Sequence, residues 1–272
     1  MSPRRLGQHF LNDRNILRRI VDALQPEPGN VVLEIGPGKG SLTRELLGRG
    51  LTVIAIEKDA RLAGDVGWGM GDGERFTIVP GDALKLDWHD LLTRTPHPAS
   101  PISHPVFSVC GNIPYSVTSP LLDKALTPPL PERVVFLVQE EVANRITARP
   151  GTKTYGALTV GVQALCRAEK LFVVRAGAFE PPPKVQSALL RLVPLAEPLI
   201  DAATEGQAFR RFVTACFSQR RKQLRNVLRA VTGKTATEVT AGLTGLAIDP
   251  VARPETLAPA QFVALLHWRT SL

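Results

Sequence analysis

Asn112-Ile113-Pro114-Tyr115 brings a side-chain amide, a proline-stiffened turn and an aromatic ring together within four residues. An asparagine oxygen accepts one hydrogen of an exocyclic amine, and a backbone carbonyl near Ile113 accepts the other. Pro114 stiffens the turn and holds the preceding residue extended, which aims that carbonyl. The flat face of Tyr115 is a surface on which a base stacks. An amine held at two points keeps its lone pair out of conjugation and pointed at an electrophilic methyl. Catalysis of this kind rests on positioning and electrostatics and needs no dedicated general base. Asn112, Ile113 and Tyr115 are therefore candidate catalytic residues.

A carrier for that electrophile is suggested upstream. Val31 to Ile35 is an apolar, β-branched run that reads as a buried strand, and Gly36-Pro37-Gly38-Lys39-Gly40 follows it as a tight turn. From Ser41 to Leu47 the apolar spacing is helical, with Ser41 or Thr43 able to cap the first turn. Glycines at alternate positions let a ligand lie directly against the backbone, and a strand, glycine turn and helix N-terminus make a nucleotide-type site. The spacing is G-x-G-x-G, with Ser41 where a dinucleotide fingerprint has its third glycine. That shifts the expected ligand from a nicotinamide dinucleotide towards S-adenosyl-L-methionine (SAM), which has no pyrophosphate to cradle. A plain strand-to-helix turn has the same composition, so the residues that follow must decide. Glu57 ends a second strand, Leu51 to Ile56, 21 positions after Gly36, near the spacing at which an acidic residue reaches a ribose diol. A solvated strand-end charge is its alternative reading. Asp82, in Gly81-Asp82-Ala83 after a strand over Phe76 to Val79, is placed to accept from an adenine amine.

The elements that must position these groups follow from the pattern. A helix is expected over Asp13 to Leu24, where Ile16, Leu17, Ile20, Val21 and Leu24 keep a helical period. The glycine-dense stretch Asp65 to Gly73 predicts a loose surface segment, and Thr95 to Pro105, with four prolines, an exposed loop. Further strands are expected over Val106 to Cys110, Val134 to Val138, Leu171 to Val174 and Ser187 to Val193. Helices are expected around Leu121 to Leu126 and Gln139 to Thr147, a flexible polar loop over Gly151 to Tyr155, and a helix or strand over Leu158 to Arg167. Strands alternating with helices predict an α/β fold with a mostly parallel, doubly wound sheet and an antiparallel end. From Phe209 onward strand signals vanish, so a small all-helical domain is expected over 195–272, after a catalytic domain over 1–194.

The chain has 272 residues, with 44% hydrophobic residues and a formal net charge of +8. No apolar run reaches the roughly 18 residues that a membrane span needs. With no secretory h-region at Met1 to Arg5, the expected location is the cytoplasm. Three isolated cysteines, Cys110, Cys166 and Cys216, suit small core positions in a reducing compartment, and the five scattered histidines carry no zinc spacing, so no metal is expected. The positive charge favours a polyanionic partner. Between Glu205 and Glu238 there is no acidic residue, while Arg210, Arg211, Arg220, Arg221, Lys222, Arg225, Arg229 and Lys234 all lie inside that interval. One-sided charge over an amphipathic segment reads as a phosphate-binding face.

Together, Gly7 to Leu11, Glu34 to Gly38, Glu57, Gly81 to Ala83 and Asn112 to Tyr115 resemble the SAM-dependent ribosomal RNA adenine N6-dimethyltransferases. Phe179-Glu180-Pro181-Pro182-Pro183-Lys184-Val185 and Ser218 to Lys222 resemble the small-subunit (16S) branch, and the similarity runs nearly end to end. The resemblance implies a Rossmann-like methyltransferase domain and dimethylation of two adjacent adenines in the 3′-terminal hairpin loop of 16S RNA, in an assembling 30S particle; a monomer is expected, although the sequence leaves the oligomeric state open. It implies SAM contacts at His9, Leu11, Gly36, Glu57, Asp82 and Asn112, with Gly38, Lys58 and Ala83 beside them. It places the target base between Tyr115 and Phe179, and gives Arg220, Arg221 and Lys222 to the RNA. The chain departs from the family pattern at His9, where asparagine is commoner, at Ile113, where leucine is commoner, and in Asp65 to Gly73. The rival readings are the sister enzymes of 23S RNA, a non-catalytic RNA-binding assembly factor, and a nicotinamide-dependent dehydrogenase.

Overall fold

Val31–Ile35 (β2) has every residue buried, as does Thr52–Glu57 (β3), which is how an apolar run behaves when both faces of a parallel sheet are covered. The structure is a computed structural model and describes residues 9–69, 73–94, 106–219 and 222–270. The main sheet also holds Phe76–Pro80 (β4), Phe107–Asn112 (β5), Val134–Gln139 (β6), Cys166–Val174 (β7) and Ser187–Pro194 (β9), in the order β4-β3-β2-β5-β6-β9-β7. Strands β2 to β6 pair in parallel, and β9 runs antiparallel to β6. From β2 the chain builds outward to β3 and β4 on one side, then returns to add β5 and β6 on the other. That reversal opens a crevice beyond the carboxyl ends of β2 and β5, where open α/β sheets bind ligands. A separate two-stranded sheet pairs Phe10–Leu11 (β1) with Phe179–Glu180 (β8), Leu11 lying opposite Phe179.

Helix Arg14–Ala23 (α1) starts where expected. Asp13 caps it by accepting from the Asn15 and Ile16 N–H groups, and Leu17, Ile20 and Val21 turn inward. Ser41–Gly48 (α2) has no side-chain cap. Gly40 stands at its N-terminus in the left-handed conformation, so neither Ser41 nor Thr43 is its cap. Ala60–Gly69 (α3) is helical through Asp65, where a loose segment was expected, because an exposed Gly64 costs a helix less than the packing of α3 on β4 returns. The rest of that stretch, 70–72, and the expected loop over 95–105 lie outside the described residues. Trp88–Arg94 (α4), Thr118–Ala125 (α5) and Glu140–Ile146 (α6) complete the helices that link the strands.

The described residues fall into two compact units, one within 1–143 and 169–193, the other within 144–168 and 194–272. The expected division at 194/195 differs from this in one respect, since 144–168 joins the helical unit. The physical reason is Ala157–Gln163 (α7), which packs on Gly206–Phe217 (α8) and Pro259–Thr270 (α11). Tyr155, expected in a flexible loop, is fully buried. Its hydroxyl donates to the Leu257 carbonyl at 2.7 Å and its ring meets Phe217, so one buried polar atom is satisfied while a large apolar surface leaves water. Leu224–Thr232 (α9) and Ala236–Gly245 (α10) finish this unit. Among the described residues no helix is long and apolar enough to cross a membrane.

Candidate active site

A cavity of about 260 Å³ opens in the crevice at the carboxyl ends of β2 to β5. Its walls bring together His9, Leu11, Gly36, Gly38, Glu57, Lys58, Asp82, Ala83, Asn112, Ile113 and Tyr115. The glycine turn forms one wall, with Gly36 at φ +69° and Gly38 at φ +58°. A Cβ on Gly36 would meet nothing within 4 Å, so glycine there serves the left-handed backbone and leaves the wall open to a ligand. At Gly38 a Cβ would also sit 3.0 Å from the Phe10 ring.

Glu57 is 4% exposed and ties that turn to β3. Its Oε2 accepts from the Gly38 N–H at 3.1 Å and its Oε1 from the Asp59 N–H at 2.9 Å. Each oxygen keeps a further lone pair, so the carboxylate is oriented and still able to receive two hydroxyls. Asp82 accepts from the Leu84 N–H at 3.0 Å and pairs with Lys58 at 2.8 Å, and these two contacts, Lys58 first, hold its carboxyl below the usual range. Lys58 is thus committed to Asp82 and acts on the cavity through it.

Asn112 ends β5 with its amide anchored. Nδ2 donates to the His9 carbonyl at 2.7 Å, which turns Oδ1 the other way as a free acceptor. Ile113 is 1% exposed and its N–H donates to the Leu137 carbonyl at 3.1 Å, while its own carbonyl takes no hydrogen bond among the described residues. Gly111 makes this turn possible: a Cβ there would lie 2.4 Å from the Ile35 carbonyl oxygen. Sequence reasoning missed Gly111, although a glycine inside a strand signals a close backbone approach.

Tyr115 is held at its hydroxyl by Ser187 Oγ, 2.9 Å away, and its ring stacks with His9 at 6.2 Å and 29°. The His9 Nδ1 sits 2.7 Å from the Pro181 carbonyl, which only accepts, so Nδ1 carries the proton. Phe179 does not share this arrangement. It is 5% exposed, lies outside the cavity wall and packs in the core with Leu11, Leu17 and Ile20. The expected base sandwich of Tyr115 and Phe179 is not formed in this ligand-free structure: β1–β8 pairing sets Phe179 opposite Leu11, where it is buried, and the ring stacked with Tyr115 is His9.

Glu34 is the residue that sequence reasoning quoted without giving it work. It is 1% exposed, lines the cavity, and accepts from Thr43 Oγ1 at 2.7 Å through Oε2. The signal was a lone carboxylate inside an otherwise apolar strand. Burial pushes its carboxyl from 4.5 up to about 7, the Thr43 hydrogen bond pulling it down and the neighbouring Glu57 charge pushing it up. A raised carboxyl stabilises the fold fully below its unfolded value, and that stability is lost as pH climbs through about 7. Glu34→Gln is thus expected to stabilise the ligand-free chain at about pH 8, by on the order of 3 kcal/mol at most, with the gain shrinking towards about pH 5. Urea unfolding at the two pH values checks this, and a gain of equal size at both would contradict it.

Arg220 and Arg221 lie outside the described residues. Lys222 is exposed beside them, and Arg225 and Arg229 are exposed on α9, opposite its buried Leu224, Val227 and Leu228. Cys110, Cys166 and Cys216 are buried and unbridged, burial pushing the last two thiols up to about 12. No cluster able to hold a metal ion occurs among the described residues.

The profile of the family described as ribosomal RNA adenine dimethylase matches residues 2–269. "Ribosomal RNA small subunit methyltransferase A" of Acinetobacter baylyi is 44% identical over 265 residues, covering 96% of this chain and 90% of that protein. The protein of the same name from Pseudomonas aeruginosa is 40% identical, covering 97% and 93%. Among solved structures, a dimethyladenosine transferase from Plasmodium falciparum superposes with a TM-score of 0.78 at 26% identity, covering 94% of this chain and 96% of that one. The 23S rRNA methyltransferase ErmE superposes with a TM-score of 0.71 at 29% identity, covering 96% and 100%. With a doubly wound sheet, a glycine-walled cavity and an anchored Asn112 beside an oriented Glu57, the chain belongs to the ribosomal RNA adenine dimethylase family.

Proposed function

We propose that the chain dimethylates the N6 amines of two adjacent adenines in the 3′-terminal hairpin loop of 16S RNA, using SAM, as a cytoplasmic monomer acting on an assembling 30S particle. The observation that carries this reading is the Asn112 amide, fixed through its nitrogen to the His9 carbonyl with its oxygen free. The cavity fits the cofactor on its own chemistry: an open glycine wall at Gly36, a Glu57 carboxylate with two spare lone pairs for a ribose, and Asp82 for an adenine amine. Bound SAM supplies a methyl group on a positively charged sulfur. The chain's part is to hold the acceptor. Asn112 Oδ1 and the Ile113 carbonyl take the two amine hydrogens, which turns the nitrogen lone pair away from the ring. After one transfer a single N–H remains, so one of the two acceptors still orients the amine for the second. Each nitrogen sheds its proton once the methyl has arrived, so no strong base is required. Tyr115, locked by Ser187, offers the face for the extruded base.

Relatives named as small-subunit methyltransferases at 40–44% identity favour 16S over 23S RNA, and Arg220, Arg221 and Lys222 fit the role of phosphate contacts. Glu57→Ala is expected to weaken SAM binding by about 1.5–3 kcal/mol, the scale of a charge-assisted hydrogen bond. Calorimetry on the folded variant tests this, and an unchanged Kd would remove Glu57 from the ribose role. For the substrate, rates of labelled methyl transfer to unmethylated 30S particles and to 23S RNA are compared. Transfer to 30S particles alone is expected; faster transfer to 23S RNA would favour the sister activity.

A further inference from the structure

Glu34 is a buried carboxyl group on the wall of the cavity that the mechanism above leaves without a task. One of its oxygens, Oε2, is taken by Thr43, and Oε1 has no hydrogen-bond partner among the described residues. It stands two residues before Gly36 on β2, so anything lying against the glycine turn lies beside it. The groups that face it are few. From β3 comes Glu57, a second carboxylate already held by two backbone N–H groups. From β5 comes Cys110, opposite Glu34 in the strand register, whose thiol is buried and pushed well up by that burial and by Glu34 itself. From the start of α2 comes the Thr43 hydroxyl. The cations nearest in sequence are engaged elsewhere, Lys39 over the Phe10 ring at 4.8 Å and Arg44 on the Lys39 carbonyl at 3.2 Å.

We infer that Glu34 is a specificity residue that lets the cavity tell the charged cofactor from its spent, uncharged-sulfur product. This rests on the SAM reading above. Methyl transfer breaks the S–CH3 bond and leaves its electron pair on sulfur, so a sulfonium cation becomes a neutral thioether, S-adenosylhomocysteine. The two molecules differ only by the transferred methyl and the sulfur charge that goes with it, and the charge is what a carboxylate senses. An ionised Glu34 attracts the sulfonium form and is indifferent to the thioether; a protonated Glu34 is indifferent to both. With the carboxyl raised by burial to about 7, both protonation states are populated near neutrality in the empty cavity. A bound sulfonium pulls that value down, so SAM binding near neutral pH releases a proton from Glu34 and the product's binding does not. Loss of the methyl removes that attraction, and the proton returns to Glu34. Acidification through this range reduces the preference for fresh cofactor.

The test measures Kd for SAM and for S-adenosylhomocysteine from about pH 6 to about pH 8 in the wild type, Glu34→Gln and Thr43→Val. The product-to-cofactor Kd ratio is expected to rise about fivefold over that range in the wild type, as a bound carboxyl lowered by about one pH unit from about 7 gives. In Glu34→Gln the ratio should stay flat while both ligands still bind. Thr43→Val removes the hydrogen bond that lowers the carboxyl, so its rise should move to higher pH. Calorimetry in buffers of different ionisation enthalpy should show proton release for SAM that is absent in Glu34→Gln. If both ligands bind the wild type with a ratio that does not change with pH, or that changes equally in Glu34→Gln, the inference fails and the SAM reading stands. If SAM does not bind the folded wild type at any pH, both fail together.

Discussion

Asn112→Ala is expected to cut methyl transfer by about 10²-fold or more, because the lost amide is the group that holds the acceptor nitrogen in line. The substitution removes two things at once: the free Oδ1 acceptor and the 2.7 Å bond from Nδ2 to the His9 carbonyl. Asn112→Asp separates them. A carboxylate keeps an acceptor for the amine but sets its second oxygen against the His9 carbonyl, so it loses the anchor and gains a repulsion. If the anchor matters as argued, Asn112→Asp should be nearly as slow as Asn112→Ala. Ile113 is buried and bonded to Leu137 independently of Asn112, so both variants should fold and bind SAM. Single-turnover rates on saturating 30S particles check this. A near wild-type rate for Asn112→Ala would take the amide out of the chemistry.

The other large effect is on stability. Phe179→Ala should destabilise the catalytic unit by about 3–5 kcal/mol, the range for truncating a buried aromatic ring in a core that only partly collapses. The ring is 5% exposed and packs with Leu11, Leu17 and Ile20, the residues that seat α1 and β1 against the sheet. Those same elements carry the His9 carbonyl that orients Asn112, so activity should fall in step with unfolding and recover at low temperature. Urea unfolding decides. Unchanged stability with a rate collapse would mean that the Phe179 ring leaves the core to stack on the base, as the family resemblance implied.

How much of this was legible in the sequence depends on which physical signal each residue leaves. Strands β2, β3 and β6 were readable because burial on both faces demands a nearly continuous apolar run. The Asp13 cap was within reach because an acidic residue just before a helical period has few other uses. Glu57, Asp82 and Asn112 were legible because each stands at the carboxyl end of a parallel strand, where the topology leaves an open crevice. What failed to show was anything set by a distant partner. Thr43 looks like a cap, and only the position of Glu34 on the adjoining strand makes it a hydrogen-bond donor to a buried carboxyl. Tyr155 sits among polar neighbours, and its burial depends on Leu257 and Phe217 far along the chain. Phe179 lies in a proline-rich stretch that reads as an exposed platform, yet a two-residue pairing with Leu11 turns it inward. His9 stands in the motif as a cofactor contact, and its service as Asn112's anchor passes through a backbone carbonyl, which no side-chain pattern records.

The most direct test of the central claim is to locate the product. Purified protein is incubated with SAM and 30S particles that lack the modification, and the 16S RNA is digested and mapped by mass spectrometry. The account predicts N6,N6-dimethyladenosine at two neighbouring adenines of the 3′-terminal hairpin loop, and almost none with Asn112→Ala. A hairpin loop left unmodified, or methyl groups placed on atoms other than adenine N6, would contradict it.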